Sequence, residues 1–550
     1  MRLTDTIVGA LEDAGVDTVF GLPCEQMDPY YAALDESEVR HILARSEASA
    51  AIMADGYARA SGGLGVADGV GGPGASQLGI GLVEADGASS PVLAITGDNP
   101  RATRGNEVIQ DGDNGAILDP YVKSSYDPAT PERAVEDAAA AIREALAGVP
   151  APTHLNLTGD LIAHEFDDGD APSIPSFDRA FPTGRPAPDA DALDAAADAL
   201  DGSEAPVIVS GEGSLRSKAF DAVDDLARTL EAPVVTSMNG KGIVDETSDY
   251  AAGVAGRWGY CQVANDAVEA ADVILVLGAR MGELSTVGWS LYPEDATIVH
   301  VDLDPEWLGK TQAVDIPIQA DVGAAASALA ERVSATDART ERMERIARER
   351  EEWYEGHMDA LTSDDVPIKP QRVFHEIETA LPPEGVLVSA TSFTGFFTGA
   401  FYRVREPGVG YIQARGSDGI NYCLPQALGV QAARPDTPVV AASGDGAIGY
   451  HIAELETAVR EDLPITLVVV NNQAFGSSKM SQMATSNVDN STDLDPGTDY
   501  AAVAEGFGCD GQVIEDPDEL PEAMAAAVAS DTPTVLDVRV ELYATPPVLV

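Results

Sequence analysis

Basic side chains are scarce in this sequence: 33 lysines and arginines stand against 91 aspartates and glutamates, a formal net charge of −58. A chain so acidic repels phosphate backbones and anionic lipid, which excludes nucleic acid and anionic membranes as partners. The acids are spread along the chain, not gathered in a tail, as expected of a halophilic surface, where high salt screens self-repulsion. Cysteine is rare too. Cys24, Cys261, Cys423 and Cys509 form no CxxC pair, so neither a disulfide framework nor a zinc site is implied. No apolar run reaches membrane-spanning length, and the opening MRLTDTIVGALEDAG is patterned as an amphipathic helix, not a secretion signal. These absences point to a cytoplasmic protein. At 550 residues the chain is too long for one core, and about three domains are expected.

What the chain does have is concentrated in VVAASGDGAIGYHIAELETAVREDLPITLVVVNNQAFG, residues 439–476. Residues 439–443 read as a strand buried on both faces. Gly444-Asp445-Gly446 reads as a tight turn that uses glycine's tolerance of unusual backbone angles. Ile452, Leu455 and Val459 follow at helical spacing, and Asp462-Leu463-Pro464 ends that helix. Residues 465–470 form a second buried strand, closed by Asn471-Asn472. Parallel strands joined by a helix end at the same sheet edge, so Asp445 and Asn472 are expected on one rim. A helix amino terminus beside them suits phosphate. A carboxylate, an amide oxygen and a phosphate suit Mg²⁺, and the stretch reads as a magnesium diphosphate site.

GDG followed, after residues 447–470, by NN resembles the cofactor motif of the thiamine-diphosphate enzymes. By that resemblance Asp445 and Asn472 bind the metal, with the main-chain carbonyl of Ala474 completing the protein ligands. Gly444, Gly446, Ala447, Phe475 and Gly476 would border the diphosphate.

In residues 1–165, short strands near 18–20, 41–43, 65–67 and 91–95 alternate with helices and glycine turns such as GVGGPGASQ. That alternation is the mark of a parallel α/β domain. Glu47 opens the helix of RSEASAAIMADGYARASG, where Ala51, Met53, Ala54 and Ala58 offer small or apolar packing surfaces. Locally, Glu47 reads as an acid that favours the helix dipole. The segment is also similar to the E-x-x-A-x-x-M-A-D-G-Y-A-R pattern of the family's pyrimidine-binding domain. The resemblance implies that Glu47 hydrogen-bonds N1′ of the aminopyrimidine. A carboxyl there favours the imino form, whose exocyclic nitrogen takes the C2 proton.

Residues 166–190 are rich in Pro, Asp and Ser and read as a linker. Residues 191–335 resume the alternation, with strands near 206–210, 233–235, 273–277 and 298–301. GEGS at 211–214 is a fragment of a dinucleotide fingerprint. The segment resembles the family's central domain, which in acetolactate synthases holds a non-redox FAD along stretches matching residues 258–281 and 302–321. Met281-Gly282-Glu283 replaces their usual Phe and two acids, so FAD and a plain spacer both stay open. Residues 335–356 carry balanced charge, suited to a solvated connecting helix.

The third domain, residues 366–550, opens with a strand near 386–390 that turns at Thr391-Ser392-Phe393-Thr394-Gly395. Thr391, Ser392 and Thr394 are expected on the diphosphate. GSDGINYCLPQALG resembles G-x-x-T-M-G-F-G-L-P-A-A-I-G of the acetolactate synthases. That match makes Ile420 the bulky side chain that bends the cofactor; a plain core isoleucine is the alternative. The resemblance thus implies three parallel-sheet α/β domains in the order pyrimidine, central, diphosphate. It also implies a homodimer or homotetramer with Glu47 and Asp445 meeting across an interface, and it leaves room for a regulatory subunit.

The reaction is read from departures. His41, His154, His164, His300, His357, His375 and His451 include no neighbouring pair after the first glycine turn, unlike the pyruvate decarboxylases. Acetolactate synthases carry F-Q-E and then P-x-x-K near this point. Here Gln110 and Lys123 match and are expected to act in catalysis, while the phenylalanine and glutamate are missing. Gly21-Leu22-Pro23-Cys24-Glu25 puts a thiol and an acid where the family has Gly-Gly. QAFGSSKMSQ lacks the tryptophan that helps synthases choose 2-ketobutyrate. The expected reaction is decarboxylation and carboligation of a 2-oxo acid, acetolactate synthase-like, on pyruvate. The alternative is a decarboxylase or lyase of another 2-oxo acid or 2-hydroxy ketone. Outside this class, an NAD-linked dehydrogenase would need a complete G-x-G-x-x-G, which is absent. A non-catalytic protein is argued against by the presence of Glu47, Asp445 and Asn472.

Overall fold

Runs of Val, Ile, Leu and Ala too short for helices and apolar on both sides become strands of fully covered parallel sheets. The computed structural model describes residues 1–167, 170–172, 174–177 and 184–544, so the expected linker lies partly outside the described residues. The first sheet holds β1 (Thr18–Gly21), β2 (Arg40–Leu43), β3 (Gly65–Gly69), β4 (Val92–Asp98), β5 (Ser124–Tyr126) and β6 (Thr153–Thr158). The second holds β7 (Pro206–Ser210), β8 (Val234–Thr236), β9 (Ala251–Val254), β10 (Val273–Leu277), β11 (Thr297–Asp302) and β12 (Ile316–Gln319). The third holds β13 (Val386–Ser389), β14 (Tyr411–Gln413), β15 (Val439–Gly444), β16 (Thr466–Asn471), β17 (Asp510–Ile514) and β18 (Thr534–Arg539).

Every neighbouring pair in the three sheets is parallel. The first and third sheets share one winding, β2-β1-β3-β4-β6-β5 and β14-β13-β15-β16-β18-β17. The second differs: β12-β11-β10-β7-β8-β9 is the doubly wound order of dinucleotide-binding domains. In such sheets ligands sit at the carboxyl ends of the two strands where the winding reverses. Those pairs are β1/β3, β7/β10 and β13/β15.

The outer two domains pack through two helices, Glu47–Ser61 and Cys423–Ala433. Their backbones approach so closely that side chains are excluded. A Cβ on Gly56 would lie 2.2 Å from the Gln426 carbonyl oxygen, and one on Gly429 would lie 1.9 Å from that of Met53. Several polar groups buried beside this contact are paired, as burial favours, although Gln426 Oε1 has no partner among the described residues. Gln426 Nε2 donates to Asp55 Oδ2 (2.7 Å), and Arg59 donates to Glu84 (2.6 Å). Glu84 in turn accepts the N–H groups of Gly416 (3.0 Å) and Ser417 (2.6 Å). One apolar cluster runs through both domains, from Phe20 and Met53 to Leu428 and Val469.

Two local expectations change. The charged helix, Thr340–Glu355, is not merely solvated: it buries Met343, Ile346 and Tyr354. Arg350 on it donates to the carbonyls of Glu246, Ser248 and Ala251, which pins the helix to the central domain. The helix after GDG begins only at Glu454, leaving Ile452 in the preceding turn.

Candidate active site

The crevice at the β13/β15 reversal collects most of the residues expected to hold the diphosphate. Asp445 follows β15 as the first residue of a one-turn helix, and Asn472 follows β16. Asp445 is 3% exposed, and its Oδ2 is buried without a hydrogen-bond partner among the described residues. Burial pushes its pKa up to about 7, against the pull of the facing backbone N–H groups of Gly446, Gln473 and Ala474. Asn472 is buried and accepts the Ala474 N–H (3.2 Å). Tyr500, which sequence reasoning missed, donates its hydroxyl to the Asp445 carbonyl (3.1 Å).

The glycines here serve a purpose other than the one expected. Gly444 has extended backbone angles, and Gly446 is not among the positive-φ residues. Space is the constraint instead. A Cβ on Gly446 would sit 2.8 Å from the Phe475 ring, and one on Gly476 would sit 2.3 Å from Asn472 Nδ2. Thr394 lies on the same rim, its Oγ1 3.7 Å from the Cβ position of Gly444. Thr391 donates to the Asp418 carbonyl (3.4 Å), which holds the loop carrying half-buried Ile420 against the start of the Ser392–Phe401 helix. Ser392, the first residue of that helix, has φ +63°.

Glu47 lies in a second pocket. Ser46 caps its helix by accepting the Ser49 N–H (3.1 Å), which fixes Glu47 as the first helical residue. Glu47 is 3% exposed, and its carboxyl has no side-chain partner or ion pair among the described residues; its own backbone N–H is the donor that faces it. Its side chain lies along the end of β3 and the start of the Pro73–Gly87 helix. A Cβ on Gly69 would lie 2.7 Å from its Cγ, and one on Gly74 would lie 2.7 Å from its Oε1. Burial raises its pKa, and the nearby charge of Asp68 adds to the rise.

Asp68 was not foreseen. It is wholly buried on β3, accepts the Tyr31 hydroxyl (2.9 Å) and faces His41 Nε2 at 3.0 Å. An acid inside the strand GVADG was the signal available. Cys24, on the loop after β1, has its thiol pushed up to about 11 by burial and by Asp68.

Gln110 and Lys123 part company. Gln110 is exposed, but its carbonyl oxygen lies 3.0 Å from the Cβ position of Gly72, on the glycine turn beside Glu47. Lys123 stands before β5, at the opposite end of the strands from the crevice. Its ammonium donates to the carbonyls of Glu144 (3.1 Å), Ala147 (2.6 Å) and Val149 (3.0 Å). That engagement caps the Pro131–Leu146 helix, and the catalytic expectation for Lys123 is corrected accordingly.

The third crevice, at β7/β10, opens into a cavity of about 750 Å³. Gly211 and Gly213 after β7 approach Gly278 after β10, where a Cβ on Gly211 would lie 2.3 Å from the Gly278 carbonyl. Trp258, Arg280, Asp302 and Asp321 line the space. Those residues fall within the two stretches, 258–281 and 302–321, that match the FAD-holding segments of the acetolactate synthases by resemblance, where the sequence leaves both FAD and a plain spacer open.

No hydrogen bond or ion pair joins Glu47 and Asp445 among the described residues, and Asp68 is the charge that acts on Glu47. No group of three or more His, Cys, Asp or Glu side chains is arranged to hold a metal ion among the described residues. Near Asp445 the available donors are therefore hard oxygens, suited to a hard divalent cation.

Two buried carboxyls without a cation to pair with among the described residues, each at a strand-end crevice of a domain with the same winding, fit a coenzyme gripped at both ends. Models of the thiamine pyrophosphate enzymes match all three domains: the N-terminal TPP binding domain over residues 1–117, the central domain over 193–329 and the C-terminal TPP binding domain over 393–538. The chain belongs to the thiamine pyrophosphate enzymes. It is 31% identical to a probable acetolactate synthase large subunit of Methanocaldococcus jannaschii, over 98% of this chain and 92% of the relative. To the acetolactate synthase large subunit of Parasynechococcus marenigrum it is 32% identical, over 97% and 86%. A glyoxylate carboligase of Escherichia coli O157:H7 is 29% identical, over 96% and 91%. No helix among the described residues is long and apolar enough to cross a membrane.

Proposed function

We propose that the chain is a carboligase that decarboxylates pyruvate and joins the remaining two-carbon unit to a second 2-oxo acid. The observation that carries this reading is the buried, unpartnered Oδ2 of Asp445 on a rim of oxygen donors. A carboxylate in that state gains most from a divalent cation. Asp445, Asn472 and the Ala474 carbonyl would hold Mg²⁺. Thr391, Ser392 and Thr394 would contact the diphosphate, together with residues 444–447 and Phe475-Gly476. Bound there, thiamine diphosphate supplies an electron sink for losing CO₂ from a 2-oxo acid.

The chain's own side chains supply the rest. Glu47, unpaired and dry, holds a proton on the pyrimidine nitrogen. Ile420, half-buried on the loop held by Thr391, would offer the apolar side chain against which thiamine diphosphate packs. Gln110, exposed at the glycine turn, faces the entering substrate. By resemblance to the family, the working unit is a homodimer or homotetramer, with each site shared by two subunits. Relatives named as large subunits support a separate regulatory subunit. The cavity at β7/β10 would take FAD, its volume and glycine-edged rim matching a dinucleotide. Bound flavin in the purified protein is the check on that assignment.

The decisive experiment supplies the magnesium- and thiamine-diphosphate-loaded enzyme with pyruvate, alone and with 2-ketobutyrate or glyoxylate, and identifies products by mass spectrometry. Acetolactate or its homologue is the expected product. Release of CO₂ from glyoxylate but not from pyruvate would move the donor assignment to the glyoxylate carboligase type. No CO₂ from either would sink the proposal.

A further inference from the structure

We infer that the cavity where all three domains meet binds a small, multiply charged anion carrying a phosphate or paired carboxylates. It measures about 330 Å³, lies apart from both the diphosphate crevice and the Glu47 pocket, and adjoins the β7/β10 cavity, with which it shares Glu212, Arg216 and Asn239, while Lys218 and Arg434 belong to it alone. Its volume is within the range of small-ligand sites. Each domain contributes a wall. The pyrimidine domain brings Ala60-Ser61-Gly62 at the end of its Glu47–Ser61 helix, the central domain brings Arg216 and Lys218, and the diphosphate domain brings Arg434.

The charge of this lining runs against the whole molecule. Four cations, Arg59, Arg216, Lys218 and Arg434, and a single acid, Glu212, line the cavity of a chain whose formal net charge is −58. Two of the cations are already compensated. Arg59 pairs with Asp55, Glu84 and Glu212, and Arg216 with Glu212. The other two are not. Arg434 donates only to the carbonyls of Ala60 (3.0 Å) and Val409 (3.3 Å), and no carboxylate reaches it among the described residues. Lys218 makes no hydrogen bond or ion pair among the described residues, and its Nζ lies 3.3 Å from the Cβ position of Gly62. Both cations therefore converge on the same short segment, Ala60 to Gly62. Where acids outnumber bases 91 to 33, a cation pair without an acid is the opposite of what random placement gives.

An anion bridging Arg434 and Lys218 would satisfy both charges and tie the three domains together. Asn239 on the same lining adds a buried amide oxygen that has no donor, which a ligand hydroxyl would fill. The acidic exterior repels anions at long range, so capture should improve as salt shortens that repulsion, until the salt's own anion competes.

The test is calorimetric titration of the enzyme loaded with magnesium and thiamine diphosphate, so that the diphosphate crevice is filled. The probes are inorganic phosphate and, separately, succinate, in chloride buffer. Saturable binding of at least one probe, near one per chain, is expected. Lys218→Met should weaken it at least tenfold; Lys218 is exposed, so that variant keeps the fold. Arg434→Gln should do the same, with Arg434→Lys recovering part of the affinity. Preference for phosphate would mark a phosphate ester as the natural ligand class, and preference for succinate a dicarboxylate. Equal affinity in wild type and Lys218→Met, or no saturable heat with either probe, would overturn the inference.

Discussion

Glu47 Oε1 lies 2.7 Å from the position a Cβ would take on Gly74. The start of one helix thus sets the carboxyl at the start of another, with no other side chain bonded to it to share the task. Gly74→Ala should push the carboxyl aside while leaving the diphosphate crevice intact. A displacement of the order of 1 Å costs about 10²-fold in rate. We expect kcat to fall by about that factor, with the affinity for thiamine diphosphate changed far less. Unchanged kcat would show that the Glu47 carboxyl is not held by this contact.

Replacing Glu47 itself should separate function from stability. Its pKa is raised in the folded chain, chiefly by burial, so the ionised form is disfavoured by folding. That penalty is fully present above the folded pKa and vanishes below the unfolded value, where both states are protonated. Glu47→Gln should abolish turnover yet raise the Tm of the cofactor-free protein at pH 7.5. The gain should shrink as pH falls toward about 4.5, the ordinary range of the carboxyl. Melting curves across that interval are the check; a Tm gain that persists at the acid end contradicts the argument.

Gly446→Ala tests the packing of the diphosphate rim. The new methyl would meet the Phe475 ring at 2.8 Å, so the ring or the loop after β16 must move, carrying Asn472 and Ala474 with it. Overpacking of this kind costs about 1–3 kcal/mol. Affinity for thiamine diphosphate with magnesium should drop by at least tenfold, as measured by cofactor titration of the stripped enzyme. An unaltered titration would mean that the rim tolerates the shift.

Much of this arrangement was legible in the sequence wherever one local signal sufficed. The strands at 206–210 and 273–277 coincide with β7 and β10 because their apolar runs stop at Gly211 and Gly278, and because Pro206 opens the first and Asp272 precedes the second. Glu47 begins its helix as expected because Ser46 is a strong cap. β5, β9, β12 and β14 were not read, since three or four residues carry too few side chains to show a period. The longer β6, β17 and β18 were missed as well, where polar residues such as Asn156 and Asp537 interrupt the apolar run or its ends are exposed. The Asp68–His41–Tyr31 cluster escaped for another reason: it exists only once β1, β2 and β3 pair in register. Lys123 was misjudged because a short motif names a residue type but not which end of a strand it occupies.

That correction is itself testable. Lys123 donates to three carbonyls at the end of the Pro131–Leu146 helix. Being exposed, these bonds together are worth about 1 kcal/mol. Lys123→Met should lower the Tm by a few degrees and leave kcat and KM unchanged at a temperature where both proteins are folded. A large loss of kcat with unchanged Tm would restore the lysine to the reaction.

The acid excess sets the last expectation. With 91 acids and 33 bases over 550 residues, most surface carboxylates have no cation to pair with, and their mutual repulsion opposes the compact state. Screening reaches about 10 Å at 0.1 M salt and about 3 Å at 1 M, the spacing at which neighbouring surface carboxylates cease to sense one another. Tm should therefore climb steeply with KCl over that interval. A non-ionic osmolyte should give a smaller rise, because it strengthens burial without screening charge. Opposite-sign contacts such as Arg40–Glu461 (2.7 Å) are weakened by the same salt, but they are few beside the unpaired acids, so repulsion decides the sign. A Tm that is flat or falling in KCl would mean that the acids are spaced widely enough for repulsion not to matter.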